Sequence, residues 1–142
     1  MLENKIKLLV VDDDDFMLSS IELAFLGGPY EVTAVNDPFK AYQMIENQSF
    51  NIVICDIVMP GMDGLTLLEK IKNFNGMIQV IMITADITVN NAITAFRKGA
   101  IDIFFKPFKK VDDLVAAVDA AVNKLNRVNA ILREAKKIGK VS

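Results

Sequence analysis

The chain has 142 residues, 52% of them apolar, and a formal net charge of −2. That is the length of one domain with enough apolar side chains for a full core, and it excludes a disordered chain. Histidine is absent and Cys55 is the single cysteine; this excludes an internal disulfide, a Ser–His or Cys–His nucleophile pair and a phosphohistidine on the chain itself, and leaves no ordinary ligand set for structural zinc.

In chain order, Ile6–Val11 reads as a first strand that ends in Asp12 and Asp13. Asp14 or Asp15 caps a helix whose apolar positions are Met17, Ile21, Ala24 and Phe25, and Gly27-Gly28-Pro29 stops it. Glu31–Val35 alternates polar and apolar residues, as an edge strand does, and Asp37-Pro38 opens a second helix through Phe39, Ala41, Tyr42, Met44 and Ile45. Asn51–Cys55 is the most apolar strand and is expected at the sheet centre, followed at once by Asp56. Met59–Gly64 is a Pro/Gly loop, Leu65–Asn73 a third helix and Ile78–Ile83 a fourth strand that ends in Thr84. Thr88–Lys98 is a fourth helix ended by Gly99, and Ile101–Phe105 is a fifth strand that ends in Lys106-Pro107.

The last stretch, Lys109–Lys137, is longer than one ordinary helix of such a domain. Leu114, Val118, Ala121, Leu125, Val128, Leu132 and Ala135 step by 4, 3, 4, 3, 4 and 3, a heptad seam. Its first half is expected on the sheet. From about Asn123 it lies beyond the body, either as a single protruding helix or as a coiled-coil dimer or connector to an output domain, with Gly139 ending it. The boundaries expected are 1–123 for the domain and 124–142 for a basic helical extension. Charge supports the division: 14 Asp/Glu face 8 Lys/Arg through residue 108, and 8 Lys/Arg face 4 Asp/Glu after it. Such a basic tail is usually a solvated helix face. No apolar run reaches the roughly 18 residues of a membrane helix. The N-terminal stretch turns acidic too soon for a signal peptide, so a cytoplasmic protein without membrane contact is expected.

Strands alternating with helices predict a parallel sheet with right-handed crossovers, in either doubly wound order. Ligands of such sheets bind at the carboxyl ends of the strands, where four of these runs stop on Asp12-Asp13, Asp56, Thr84 and Lys106. Two acids after one strand facing a third after another suit Mg²⁺, with Asp13 the direct ligand and Asp12 close by or bound through water; a solvated acidic turn is the plainer alternative. Asp56 can be both metal ligand and nucleophile toward phosphorus. Thr84 can hydrogen-bond a phosphoryl oxygen, or simply nearby backbone. Lys106 supplies a compact positive charge, and Pro107 restricts it to extended geometry and permits a cis bond. Cys55 reads as core.

With these residues placed, the chain resembles the receiver domain of bacterial two-component response regulators, from about Lys5 to Asn123. The resemblance rests on VVDDDD (Val10–Asp15), ICDIVMPGMDG (Ile54–Gly64), ITA (Ile83–Ala85) and FKPF (Phe105–Phe108), in that order and spacing. It implies a flavodoxin-like sheet in order 2-1-3-4-5, with an extended terminal helix. It implies Asp56 as phosphoacceptor, Mg²⁺ held by Asp13, Asp56 and the carbonyl of Val58, Asp12 in the acidic pocket, and Thr84 and Lys106 on the phosphoryl group. The phosphodonor would be a histidine kinase or a phosphotransfer protein. Such a domain is no enzyme beyond its own phosphorylation and slow dephosphorylation. Nucleic acid would be reached only through an absent output domain.

In the family, phosphorylation pulls the threonine inward and an aromatic of the fifth strand follows. This alters the face of the fourth helix, fifth strand and fifth helix for partner binding or dimerisation. This chain departs there: the switch pair is Thr84 and Ile103, and Phe104 points to the other face by strand alternation. Val58 and Asp86 occupy positions resembling those that set phosphoryl lifetime, and Val58 cannot orient a water, so slow self-dephosphorylation is expected. Two alternatives stand beside this reading. One is a pseudo-receiver, an interaction module independent of phosphate, supported by Ile103. The other is an aspartyl-phosphate hydrolase, which the absence of a second acid at Val58 disfavours.

Overall fold

The computed structural model describes residues 5–139. Five strands, β1 (Ile6–Val11), β2 (Tyr30–Val35), β3 (Ile52–Asp56), β4 (Gln79–Thr84) and β5 (Ala100–Phe105), alternate with five helices, α1 (Asp15–Ala24), α2 (Pro38–Asn47), α3 (Gly64–Phe74), α4 (Val89–Arg97) and α5 (Val111–Lys137). The strands form one parallel sheet in the order β2-β1-β3-β4-β5. This is the flavodoxin-like order, and it puts the most apolar strand, β3, at the centre.

Alternation along the strands divides the core in two. Leu9, Val11, Val53, Cys55, Val80 and Met82 face α2, α3 and α4 through Ala41, Ile45, Leu67, Leu68, Ile71 and Ala95. Leu8, Val10, Ile52, Ile54, Ile81 and Ile83 face α1 and α5 through Leu18, Ile21, Leu114, Val118 and Ala121. Both faces of the central strands are therefore dry, which is why they read as unbroken apolar runs rather than alternating ones.

Helix starts follow the capping residues. Asp14 accepts the amides of Phe16 and Met17, Asp37 that of Phe39, Asp63 that of Thr66 and Thr88 that of Asn91. Leu18 is buried in α1 beside Met17, which packs partly buried against the same core as its spacing predicts. Strands β3 and β4 each extend one residue beyond the apolar run and so take in Asp56 and Thr84. The β4–β5 ladder carries an irregularity between Val80 and Ile81: Ala100 pairs with Val80 but Asp102 with Ile81, leaving Ile101 unpaired. Helix α5 buries Leu114, Val118, Ala121 and Leu125; beyond them Ile131, Leu132 and Ile138 are exposed. Gly139, at φ +76°, follows the last turn.

Candidate functional site

Every β-strand in a parallel sheet points its carboxyl end the same way, so the residues that end β1, β3, β4 and β5 meet on one edge. Asp12 follows Val11 and is fully buried; Asp56 closes β3 and is 4% exposed. Lys106 follows β5, and its ammonium lies between them, 2.8 Å from Asp12 Oδ2 and 3.0 Å from Asp56 Oδ2. The remaining oxygens are held by backbone: Asp12 Oδ1 accepts the amide of Asp14 at 2.9 Å and Asp56 Oδ1 that of Val58 at 3.2 Å. Asp13 is exposed, yet one carboxylate oxygen from each of Asp12, Asp13 and Asp56 lies within 4.8 Å of the others.

Several backbone bonds hold this geometry. The amide of Lys106 donates to the Thr84 carbonyl at 2.8 Å, which carries the β4–β5 ladder one step past the strand end. The Lys106–Pro107 bond is cis. The amide of Ile57 donates to Ile83 at 2.9 Å, and Gly64 donates to Ile57 at 2.6 Å. This last contact brings the start of α3 against the acidic strand end so closely that a Cβ on Gly64 would stand 2.0 Å from the Asp56 carbonyl oxygen. Only glycine fits there. From sequence Gly64 reads as the last residue of the Pro/Gly loop; the Asp-Gly pair directly before a helix is the signal of its special place.

The electrostatics follow from burial. Burial pushes the Asp12 carboxyl up, against the pull of the Lys106 ammonium and the Asp14 amide. Burial also opposes the charge of Lys106, but its bonds to Asp12 and Asp56 outweigh that and hold the ammonium above its usual range. Three clustered carboxylates therefore stand against one ammonium, which pairs with Asp12 and Asp56 and leaves an excess of negative charge at the open side where Asp13 lies. The neighbouring Cys55 is buried, and burial and the charge of Asp56 push its thiol up, so it is an inert core residue.

Of the residues singled out from the sequence, Asp12, Asp13, Asp56 and Lys106 come together. Thr84 is fully buried on the next strand, but its hydroxyl donates to the Asp86 carbonyl at 2.9 Å and accepts the Asp86 amide at 3.2 Å. The threonine side chain thus closes a local turn with Asp86, and its hydroxyl makes no hydrogen bond to Asp56 or Lys106. Val58 presents its amide to Asp56, and its side chain is 61% exposed. Ile103 is half-buried against the core on the α2–α4 side, and Phe104 packs on the opposite core.

Residues 8–119 match the response regulator receiver domain family. The transcriptional regulatory protein ZraR of Escherichia coli K12 is 33% identical over 130 residues, which is 92% of this chain and 29% of that protein. The chain thus spans less than a third of the curated relatives it matches. Among solved structures, a CheY-like receiver domain protein from Methanospirillum hungatei JF-1 superposes with a TM-score of 0.81 at 30% identity, over 87% of this chain and 98% of that one. The beryllofluoride-activated NtrC4 receiver domain dimer superposes with a TM-score of 0.79 at 28% identity, over 84% and 98%.

Proposed function

The chain belongs to the response regulator receiver domain family, and from that premise we propose that it is a phosphoacceptor switch in which Asp56 takes a phosphoryl group from a histidine kinase or phosphotransfer protein. The single observation that carries the reading is the Lys106 ammonium bridging two buried carboxylates, 2.8 Å from Asp12 and 3.0 Å from Asp56. An ion pair this buried is a poor source of stability. It makes sense as a charge poised for a group that joins Asp56.

A carboxylate oxygen of Asp56 attacks phosphorus. The new P–O bond forms as the donor's P–N bond breaks, and the electron pair leaves with the donor imidazole, which takes a proton from solvent. Lys106 and the Val58 amide face the charge that builds on the phosphoryl oxygens. Thr84 joins them once its hydroxyl leaves Asp86.

The donor set fits Mg²⁺. All candidate ligands are oxygens, histidine is absent, and the acidic cluster carries more negative charge than Lys106 balances. Asp13, Asp56 and the carbonyl of Val58 would hold the ion, with Asp12 beside it or joined through water. When bound, Mg²⁺ neutralises charge on the transferring phosphoryl group.

The chain then acts on no substrate but its own carboxylate. The exposed apolar Val58, two residues after the acceptor, offers water no base, so the phosphoryl group is long-lived. Partners are the phosphodonor and, through the α4–β5–α5 face or the exposed seam of α5, a second copy; nucleic acid would be reached only through a further domain such as a transcriptional regulator carries. No helix among the described residues is long and apolar enough to cross a membrane, which accords with a cytoplasmic site of action. Ile103, in the usual aromatic place, favours a second reading, a pseudo-receiver whose contacts ignore phosphate.

Intact mass after incubation with Mg²⁺ and acetyl phosphate decides. One added phosphoryl group, absent in Asp56→Asn, is expected. No gain with any donor overturns the proposal in favour of the pseudo-receiver, and continuous phosphate release over many turnovers would mark a hydrolase.

A further inference from the structure

In the parallel register of β4 and β5, Thr84 stands directly beside Phe105. The two differ sharply in environment: Thr84 is fully buried and Phe105 is 60% exposed. Their side chains share a face for a specific reason. Ala100 and Ile103, three residues apart, both belong to the α2–α4 core, whereas Ile101 and Phe104 belong to the α1–α5 core. Simple alternation would put residues 100 and 103 on opposite faces. The irregularity at Ile101 absorbs one residue and resets the alternation. Downstream of it, Ile103 and Phe105 fall on the side of Met82 and Thr84, and Phe104 falls on the other.

Ile103 is already half-buried in that core, so a further inward shift would change little apolar exposure. Phe105 has far more to gain. It is the larger side chain, most of it is in water, and it is the lateral neighbour of the residue whose hydroxyl must move. When the Thr84 hydroxyl leaves the Asp86 carbonyl for a phosphoryl oxygen on Asp56, the space it vacates opens beside Phe105.

We propose that Phe105 is the phosphorylation-responsive aromatic of this chain, turning from solvent toward the space beside Thr84 when Asp56 is phosphorylated. The inference rests on the phosphoacceptor reading above. Its consequence is a changed surface: α4, which packs beside β5, exposes Val89, Ile93 and Phe96, and withdrawal of a neighbouring aromatic reshapes the apolar face that a partner or second copy would meet. Ile103 then acts as fixed core, not as the moving part.

The chain contains no tryptophan, so Phe105→Trp creates a single indole reporter. With Mg²⁺ and acetyl phosphate its emission should move to the blue by several nanometres and its quenching by acrylamide should fall severalfold. Phe16→Trp on α1, at a position 79% exposed, should show neither change. Adding Thr84→Ala to the reporter should slow phosphorylation severalfold and, in the fraction that has gained the phosphoryl mass, abolish the shift, and adding Ile103→Ala should leave the shift in place. Fluorine NMR of 4-fluorophenylalanine-labelled native chain, with the Phe105 resonance assigned through Phe105→Leu, tests the same movement without the bulkier indole. A chain that gains the phosphoryl group while the Phe105 fluorine resonance and the indole stay unchanged overturns the inference and leaves Asp56 as acceptor. A shift that survives Thr84→Ala overturns the coupling through Thr84. A native chain that gains no mass overturns the phosphoacceptor reading and this inference with it.

Discussion

Lys106 and Asp12 are separated by 94 residues, yet the Lys106 ammonium lies 2.8 Å from Asp12 Oδ2. The same nitrogen reaches Asp56 at 3.0 Å, so one cation restrains two buried anions from different strands. Its removal should therefore be felt both in the fold and in the chemistry. Lys106→Met leaves Asp12 and Asp56 buried without a counter-charge, a change that costs 3–5 kcal/mol in fully enclosed pairs. Because this site opens to solvent at Asp13, a loss of about 2 kcal/mol is expected, with phosphorylation by acetyl phosphate slowed at least tenfold. Urea denaturation at neutral pH without divalent cations checks the first, and intact mass against time the second.

Asp13→Asn should have opposite effects with and without metal. Without a divalent cation it relieves repulsion among three clustered carboxylates and should raise the melting temperature, by an amount on the order of 0.5 kcal/mol in stability. With Mg²⁺ the native chain should gain stability as ligand-bound folded protein accumulates, about 1.4 kcal/mol at ten times the dissociation constant. The variant should gain much less. Thermal melts with EDTA and with 10-fold steps of Mg²⁺ separate the two signs, and equal Mg²⁺ stabilisation of both proteins would rule Asp13 out as a ligand.

Gly64→Ala places a methyl carbon 2.0 Å from the Asp56 carbonyl oxygen and 2.7 Å from the Ile57 Cα. Both obstacles are backbone and cannot swing away. The start of α3 must retreat, which breaks the Gly64–Ile57 hydrogen bond and shifts the acceptor strand end. A destabilisation of roughly 3 kcal/mol is expected, at the upper end for single substitutions, and any folded fraction should accept phosphate poorly. Gly76→Ala, whose new carbon would meet only the Lys72 carbonyl at 3.8 Å, should be within about 0.5 kcal/mol of native and serves as the control.

Tyr30, on the edge strand β2, donates its hydroxyl to Asp119 of α5 and packs edge-on against Phe25. Burial, and then the hydrogen bond and charge of Asp119, push its phenol up from the ordinary value near 10. A raised folded value means the neutral phenol is favoured by folding. Its contribution is complete below pH 10 and is lost progressively as pH rises above it, where the unfolded chain ionises and the folded one does not. Tyr30→Phe should cost about 1 kcal/mol at pH 7, and the gap to the native chain should narrow between pH 10 and 11. Denaturation across that range measures it; a constant gap would show that the hydroxyl does not titrate as the burial implies.

Much of the candidate site was legible because of how strands end. Asp12, Asp56 and Lys106 each follow a run of apolar residues that only a buried strand explains, and in a parallel sheet all such runs end on one edge. The helix starts at Asp14 and Asp37 were equally local, since each satisfies amides two or three residues away; Asp63 and Thr88 cap their helices in the same way, but read from sequence as loop and helix. Thr84 was less legible. Its position at a strand end was plain, but a hydroxyl has near-equal partners in its own backbone and in a neighbouring strand, and in this structure the backbone of Asp86 holds it. Gly64 escaped notice because the demand for a missing Cβ arises from Asp56, eight residues earlier in the chain and close only after folding.

Residue type and spacing alone therefore determined the five strands, the order of helices between them, and which carboxylates and which amine occupy the ends, since burial and capping act over a few residues. Distances were decided by the tertiary structure: the bridging ammonium, the cradle that excludes a methyl from Gly64, and the one-residue irregularity at Ile101 that turns Phe105 to the side of Thr84. Such features depend on register between strands far apart in the chain, and register is settled by packing two cores at once, which no local pattern encodes.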